Sequence, residues 1–177
     1  MAMWSPDRYV AALRFAAERH AGQRVPGSEL PYVVHVVSVA AEVIAAIADA
    51  DDPELAVVCA LLHDTLEDTP TSHAELAAAF GAAVADGVRA LSKDPAVAAG
   101  VRMADSLRRI RAQPRSVWMV KLADRITNLA PPPAHWTADK CRAYRAEAVE
   151  IVEALGAASP RLEARLRARI AAYAPHA

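Results

Sequence analysis

Eight apolar residues in a row, Leu55 to Leu62, run directly into His63, Asp64, Glu67 and Asp68 in the stretch "LLHDTLEDTP". A helix that is apolar all round has no face to offer water, so other elements must enclose it. Yet this one ends in one imidazole and three carboxylates. Acids near a helix C-terminus oppose the macrodipole and want a counter-charge, which a metal ion supplies. The chain must therefore wrap a helix on every side and balance the charge at its end.

The bulk of the sequence can meet the first demand. Its 177 residues suffice for one domain with a real core. With 54% hydrophobic residues, 5% aromatics and only 6 Gly, it favours a compact helical protein. Helix punctuation is legible along its length. Ser5-Pro6 opens a helix over about residues 6–20 that Gly22 closes, and "QRVPGSELP" (23–31) is a loop with room for a short β-hairpin near residues 23–32. "PYVVHVVSVAAEVIAAIADA" has β-branched residues that favour strand, but a nearly continuous apolar run of that length is helical. Asp52-Pro53-Glu54 starts the helix carrying the opening segment, and Thr69-Pro70 ends it. Ser72 and Glu75 form a capping box for a short helix to Gly81. Helices follow at about 82–91 and 101–112, then one capped by Ser116, one capped by Thr137 and ending near Leu155, and one from Ser159-Pro160 to Tyr173. The expectation is an all-α bundle of about nine helices, with residues 1–177 forming a single domain.

Four polar positions stand out because their surroundings are apolar: His35 in "VVHVV", His63-Asp64 after "VVCALL", and Asp124 in "VKLADRITNL". Buried carboxylates are costly unless paired or bound to a metal. Taken singly, such a His is usually a hydrogen-bonded core residue, and Asp124 beside Lys121 and Arg125 is an ion pair. Together, two imidazoles and two carboxylates on three helices suit one divalent cation of Mn, Fe or Zn type. On a continuous helix, Glu67 and Asp68 share faces with His63 and Asp64 at i, i+4, where a carboxylate can take or orient the proton of a metal-bound water. Cys59 lies at i−4 from His63 but reads as core packing.

These residues reproduce the H…HD…D pattern of HD-domain metal phosphohydrolases. "AAERHAGQR", "PYVVHVVSVA", "ALLHDTLEDT", "FGAAVADGVRALS" and "VKLADRITNL" resemble, more narrowly, the hydrolase domain of RelA/SpoT proteins over most of residues 9–155. With no synthetase or regulatory segment after them, the chain is similar to the stand-alone small alarmone hydrolases. The resemblance implies that His35, His63, Asp64 and Asp124 hold one Mn²⁺ per chain, and that Glu67 and Asp68 activate and position the attacking water. It implies removal of the 3′-pyrophosphate of ppGpp or pppGpp to give GDP or GTP and pyrophosphate, as in the stringent response. It also implies nucleotide contacts at Arg24, Asn128, Lys140 and Tyr144, with Arg24 over the base, Asn128 at the ribose, and Lys140 and Tyr144 at phosphate oxygens.

The chain departs from the family pattern in places. Val36 follows His35 where the family has proline, Val25 follows Arg24 where it has a second basic residue, and "APPPAHW" stands where an arginine is usual. The last two changes touch nucleotide recognition rather than the metal. They keep open an HD phosphohydrolase acting on ppApp, NADPH or a similar nucleotide. A catalytically silent nucleotide-binding module is the rival from another class, which the intact Glu67-Asp68 pair disfavours. A net charge of −1 argues against nucleic acid as a partner. No stretch reaches the ~18 apolar residues of a membrane span. The N-terminal "MAMWSPDRYVAALRF" has no signal-peptide core, and two distant cysteines fit a reducing compartment. The expected setting is cytoplasmic, the expected partner a nucleotide, and a homo-oligomer is compatible with all of this.

Overall fold

The structure, a computed structural model, describes residues 4–133 and 135–173. Among them, regular structure is helical: α1 (Pro6–Arg19), α2 (Val33–Ala45), α3 (Pro53–Leu62), α4 (Thr65–Asp68), α5 (His73–Phe80), α6 (Ala82–Leu91), α7 (Arg102–Arg111), α8 (Arg115–Asn128), α9 (Ala138–Leu155) and α10 (Pro160–Tyr173). No helix is long and apolar enough to cross a membrane among the described residues.

The opening segment is the axis of the bundle. All eight residues from Leu55 to Leu62 are buried, and α1, α2, α6 and α8 pack around them. Burying Leu and Val side chains from every direction stabilises the fold by roughly 1.5–3 kcal/mol apiece. α6 approaches very closely: a Cβ on Gly87 would stand 2.9 Å from Cys59 Sγ and 3.0 Å from Val117 Cγ2, so only glycine fits.

The N-terminal ends of α3 and α8 are tied together. Asp52 caps α3 by accepting the Leu55 N–H at 3.0 Å, and its own N–H donates to Ser116 Oγ at 2.8 Å. Ser116 was expected to cap α8. Instead Pro114, held extended, precedes the helix, and the buried Ser116 hydroxyl serves as the acceptor linking the two elements.

Two further expectations change in detail. The hairpin near residues 23–32 reduces to one antiparallel bridge, Arg24 to Pro31, because Pro31 has no N–H with which to extend a ladder. The helix expected from Asp52 to Thr69 breaks at His63-Asp64 into α3 and the single turn α4. The break has a local cause: His63 Nδ1 bonds the Ala60 carbonyl at 2.9 Å, and Thr65 Oγ1 donates to the Leu62 carbonyl at 2.7 Å. Side chains thus take acceptors that the next helical turn would have used.

Candidate metal centre and adjoining cleft

His35 lies in the first turn of α2, His63 and Asp64 at the break after α3, and Asp124 within α8. Packing brings His35, His63 and Asp64 into one group of potential ligands, with Asp124 facing the two imidazoles from beside it. His63 Nε2 stands 2.9 Å from Asp64 Oδ2 and 3.8 Å from Asp124 Oδ1. His35 Nε2 is 3.5 Å from Asp64 Oδ2 and 3.5 Å from Asp124 Oδ1. Donors about 2.1 Å from one ion lie about 3.0 Å apart at right angles and about 3.4 Å apart at tetrahedral angles. Three of the four separations are close to that size, and the one between His63 and Asp124 is wider.

The tautomer also fits. Because His63 Nδ1–H is committed to the Ala60 carbonyl, its Nε2 lone pair points into the cluster, fully buried and without a hydrogen bond. A polar atom left in that state is costly unless something outside the protein binds it. Such second hydrogen bonds are how metal-ligating imidazoles are oriented. Tyr32 Oη donates to Asp64 Oδ2 at 2.6 Å. Asn128 Nδ2 donates to Asp124 Oδ1 at 2.5 Å, and Lys121 Nζ donates to Asp124 Oδ2 at 3.1 Å. Both carboxylates are therefore aimed by neighbours on their own or adjacent elements.

Electrostatics follow from this packing. Burial alone would raise the Asp64 and Asp124 carboxyls. The two imidazoles, and for Asp124 the Lys121 ammonium, outweigh burial and hold both well below the usual carboxylate range. Burial likewise disfavours charge on His35 and His63, and the facing carboxylates reverse it, so both imidazoles are raised and a proton competes with any metal ion for the His63 Nε2 lone pair. Tyr32 is pushed up by burial and by Asp64, which keeps its hydroxyl a donor.

Glu67 and Asp68 line the same cavity, of about 130 Å³, although α3 is broken before them. Glu67 is gripped at both oxygens by one residue: the Lys93 N–H donates to Oε2 at 2.8 Å and Lys93 Nζ to Oε1 at 2.9 Å. Asp68 has no such clamp on its carboxyl, and burial together with the Asp64 and Glu67 charges raises it. Its main-chain carbonyl is held by Gln23 Nε2 at 2.8 Å, and Gln23 Oε1 is in turn 2.7 Å from His20 Nδ1.

Beyond His35 and Asn128, which line both spaces, the cavity opens beside a larger cleft of about 510 Å³. Val25, Leu30, Val34, Pro131–Pro133, Trp136 and Tyr144 wall it. Tyr144 lines it, packed edge-on against Trp136 at 5.2 Å. Arg24 and Lys140 do not line it: Arg24 pairs with Glu29 on the exposed bridge, and Lys140 Nζ lies 4.1 Å over the Trp136 ring. Arg125 faces α9 rather than Asp124, stacked on Tyr144 at 4.3 Å and paired with Glu147 at 3.1 Å.

Tyr32, Lys93 and Trp136 went unnoticed in the sequence reading. Tyr32 left a signal, a phenol one turn before His35 in "PYVVH". Lys93 left none, because a loop after α6 delivers it across 26 positions to Glu67.

Residues 12–159 match the HD domain family. The chain is an HD-domain protein. Over 86 residues this HD domain is 40% identical to the guanosine-3′,5′-bis(diphosphate) 3′-pyrophosphohydrolase MESH1 of Danio rerio, covering 48% of this chain and 47% of that protein. The Drosophila melanogaster MESH1 is 35% identical over 100 residues, 55% of this chain and 54% of its own. These matches span about half the length of the curated relatives. A solved structure described as a metazoan ortholog of SpoT that hydrolyses ppGpp superposes with a TM-score of 0.81 at 28% identity, covering 95% of this chain and 96% of that one. The HD-domain fold and the His/Asp cluster of a metal-dependent hydrolase are thus both present.

Proposed function

We propose that this HD domain, acting as a single unit over residues 1–177, hydrolyses the 3′-pyrophosphate of (p)ppGpp, giving GDP or GTP and pyrophosphate. The observation that carries this reading is the buried, unbonded His63 Nε2 among His35, Asp64 and Asp124, with Glu67 and Asp68 on the same cavity wall. The relatives' named activity points the same way.

In this reading His35, His63, Asp64 and Asp124 hold one Mn²⁺, whose preference for carboxylate and water oxygens the two aspartates meet. Its contribution would be Lewis-acid activation of water and neutralisation of charge on the attacked phosphoryl group. The water oxygen bonds to phosphorus, the bond from phosphorus to the ribose 3′-oxygen breaks, and that oxygen leaves as a hydroxyl. Asp68, with its raised proton affinity, accepts the proton of the attacking water and passes it to the departing 3′-oxygen. Glu67, immobilised by Lys93, orients that water. Asn128 and Tyr144 stand beside the nucleoside. Arg24 and Lys140 sit outside the cleft and contact substrate only by leaving Glu29 and Trp136. A cytoplasmic setting is supported by Cys59 and Cys141, both free thiols.

The test is purified protein supplied with Mn²⁺ and ppGpp. Release of pyrophosphate that chelation abolishes is the expected result. No release from ppGpp, ppApp or NADPH would overturn the hydrolase reading.

A further inference from the structure

Glu67 and Asp68 stand side by side on α4 and are held in opposite ways. Lys93 takes both oxygens of the Glu67 carboxyl. No side chain is bonded to the Asp68 carboxyl among the described residues. Asp68 is fixed through its main chain instead. Its N–H donates to the Asp64 carbonyl at 2.9 Å, and its own carbonyl accepts from Gln23 Nε2 at 2.8 Å. α4 is a single turn and Thr69 is already extended, so that carbonyl has no partner within the helix. A group that must take a proton needs free oxygens in a fixed place. A main-chain tether supplies both.

The direction of each hydrogen bond follows from the chemistry. A carbonyl only accepts, so the Gln23 amide turns its NH₂ to Asp68 and its oxygen to His20. His20 Nδ1 then carries the proton, 2.7 Å from Gln23 Oε1. That leaves His20 Nε2 bare and buried, which costs stability. The ring therefore makes a single hydrogen bond, and it goes to Gln23. His20 and Gln23 line neither the metal cavity nor the cleft, so both act through other residues. The Gln23 main chain is pinned as well, its N–H to the His20 carbonyl and its carbonyl to the Tyr32 N–H, each at 3.0 Å. The His20 ring centroid lies 4.8 Å from that of Tyr32, whose hydroxyl aims Asp64.

From this arrangement, and resting on the phosphohydrolase reading above, we infer that Gln23 is a positioning residue for Asp68. His20 orients the Gln23 amide, and the amide sets where the free carboxyl of Asp68 meets the attacking water.

The experiment measures kcat and KM for ppGpp, and the Mn²⁺ Kd by calorimetry, on the parent and three variants. Gln23→Met keeps length and neutrality but loses both hydrogen bonds. It is expected to lower kcat by about 10- to 100-fold, the upper figure being the cost of a misplacement of about 1 Å. KM and the Mn²⁺ Kd are expected to stay unchanged. His20→Asn offers an amide N–H in place of Nδ1–H, and His20→Leu offers none. Both lose the ring over Tyr32, so their difference isolates the hydrogen bond. His20→Asn should keep kcat near that of the parent, while His20→Leu should fall with Gln23→Met. This pair decides the matter should Gln23→Met fail to fold. Unchanged kcat in Gln23→Met would overturn the inference. So would a loss of Mn²⁺ affinity in step with kcat, or a His20→Asn no better than His20→Leu. A parent that releases no pyrophosphate would instead fell the hydrolase reading, and this role with it.

Discussion

The metal cavity and the adjoining cleft share His35 and Asn128 as walls and are built on opposite principles. In the cavity, apart from His63 Nε2 and the Asp68 carboxyl, the polar side chains are tied in pairs: Tyr32 to Asp64, Asn128 and Lys121 to Asp124, Lys93 to Glu67. In the cleft the walls are mostly proline, aliphatic and aromatic, and the Ser38 and Thr127 hydroxyls are turned back onto their own helices. The first region has fixed geometry suited to bond-making, where misplacement by an ångström is costly. The second offers shape and stacking, which tolerate variety. The proposed chemistry and the proposed recognition thus fall in two neighbouring spaces that share His35 and Asn128.

Substitutions that respect this division should rank accordingly. Asp124→Ala removes one ligand and strands Lys121, so metal binding measured by calorimetry and pyrophosphate release should fall by more than about 100-fold, beyond the range of outer-shell changes. Glu67→Gln should keep the metal and lower kcat by about 10²- to 10³-fold. Full activity in that variant would remove Glu67 from the mechanism. Tyr144→Ala weakens the cleft alone, so KM should rise about tenfold with kcat nearly unchanged. A fall in kcat instead would show that the two regions are coupled.

The smallest effect lies outside the lining of both. The Ser72 backbone and hydroxyl hold the Glu75 carboxyl below its ordinary range. A depressed carboxylate contributes stability above its unfolded-state pKa and loses it as pH falls through the folded value. Glu75→Gln should therefore lower Tm slightly at neutral pH and match the parent in acid, with activity untouched.

How much of this was legible in the sequence differs between the two regions for the same reason. Helix boundaries announced themselves because their causes are local. The side chains of Ser5, Asp52, Ser72 and Thr137 accept the N–H bonds that their positions suggested. The metal-ligand candidates were legible because a charged side chain in an apolar run is conspicuous on one element alone. The cleft was legible only in part: the resemblance pointed to Asn128 and Tyr144, but walls such as Leu30, Val34 and Trp136 are unremarkable where they stand and meet only in the fold. Lys93 was hidden likewise: only the fold puts that loop residue against Glu67. The break at His63-Asp64 was missed because helical periodicity continues through it while side chains capture the carbonyls beneath.

The central claim is that His63 Nε2 is left open for a metal ion shared with His35, Asp64 and Asp124. Anomalous diffraction from crystals grown with Mn²⁺ tests it most directly. The account requires one manganese peak within bonding distance of His63 Nε2, about 2.0–2.3 Å, and in contact with the other three donors. A fully loaded protein whose manganese lies elsewhere, with His63 Nε2 still unbound, would contradict it.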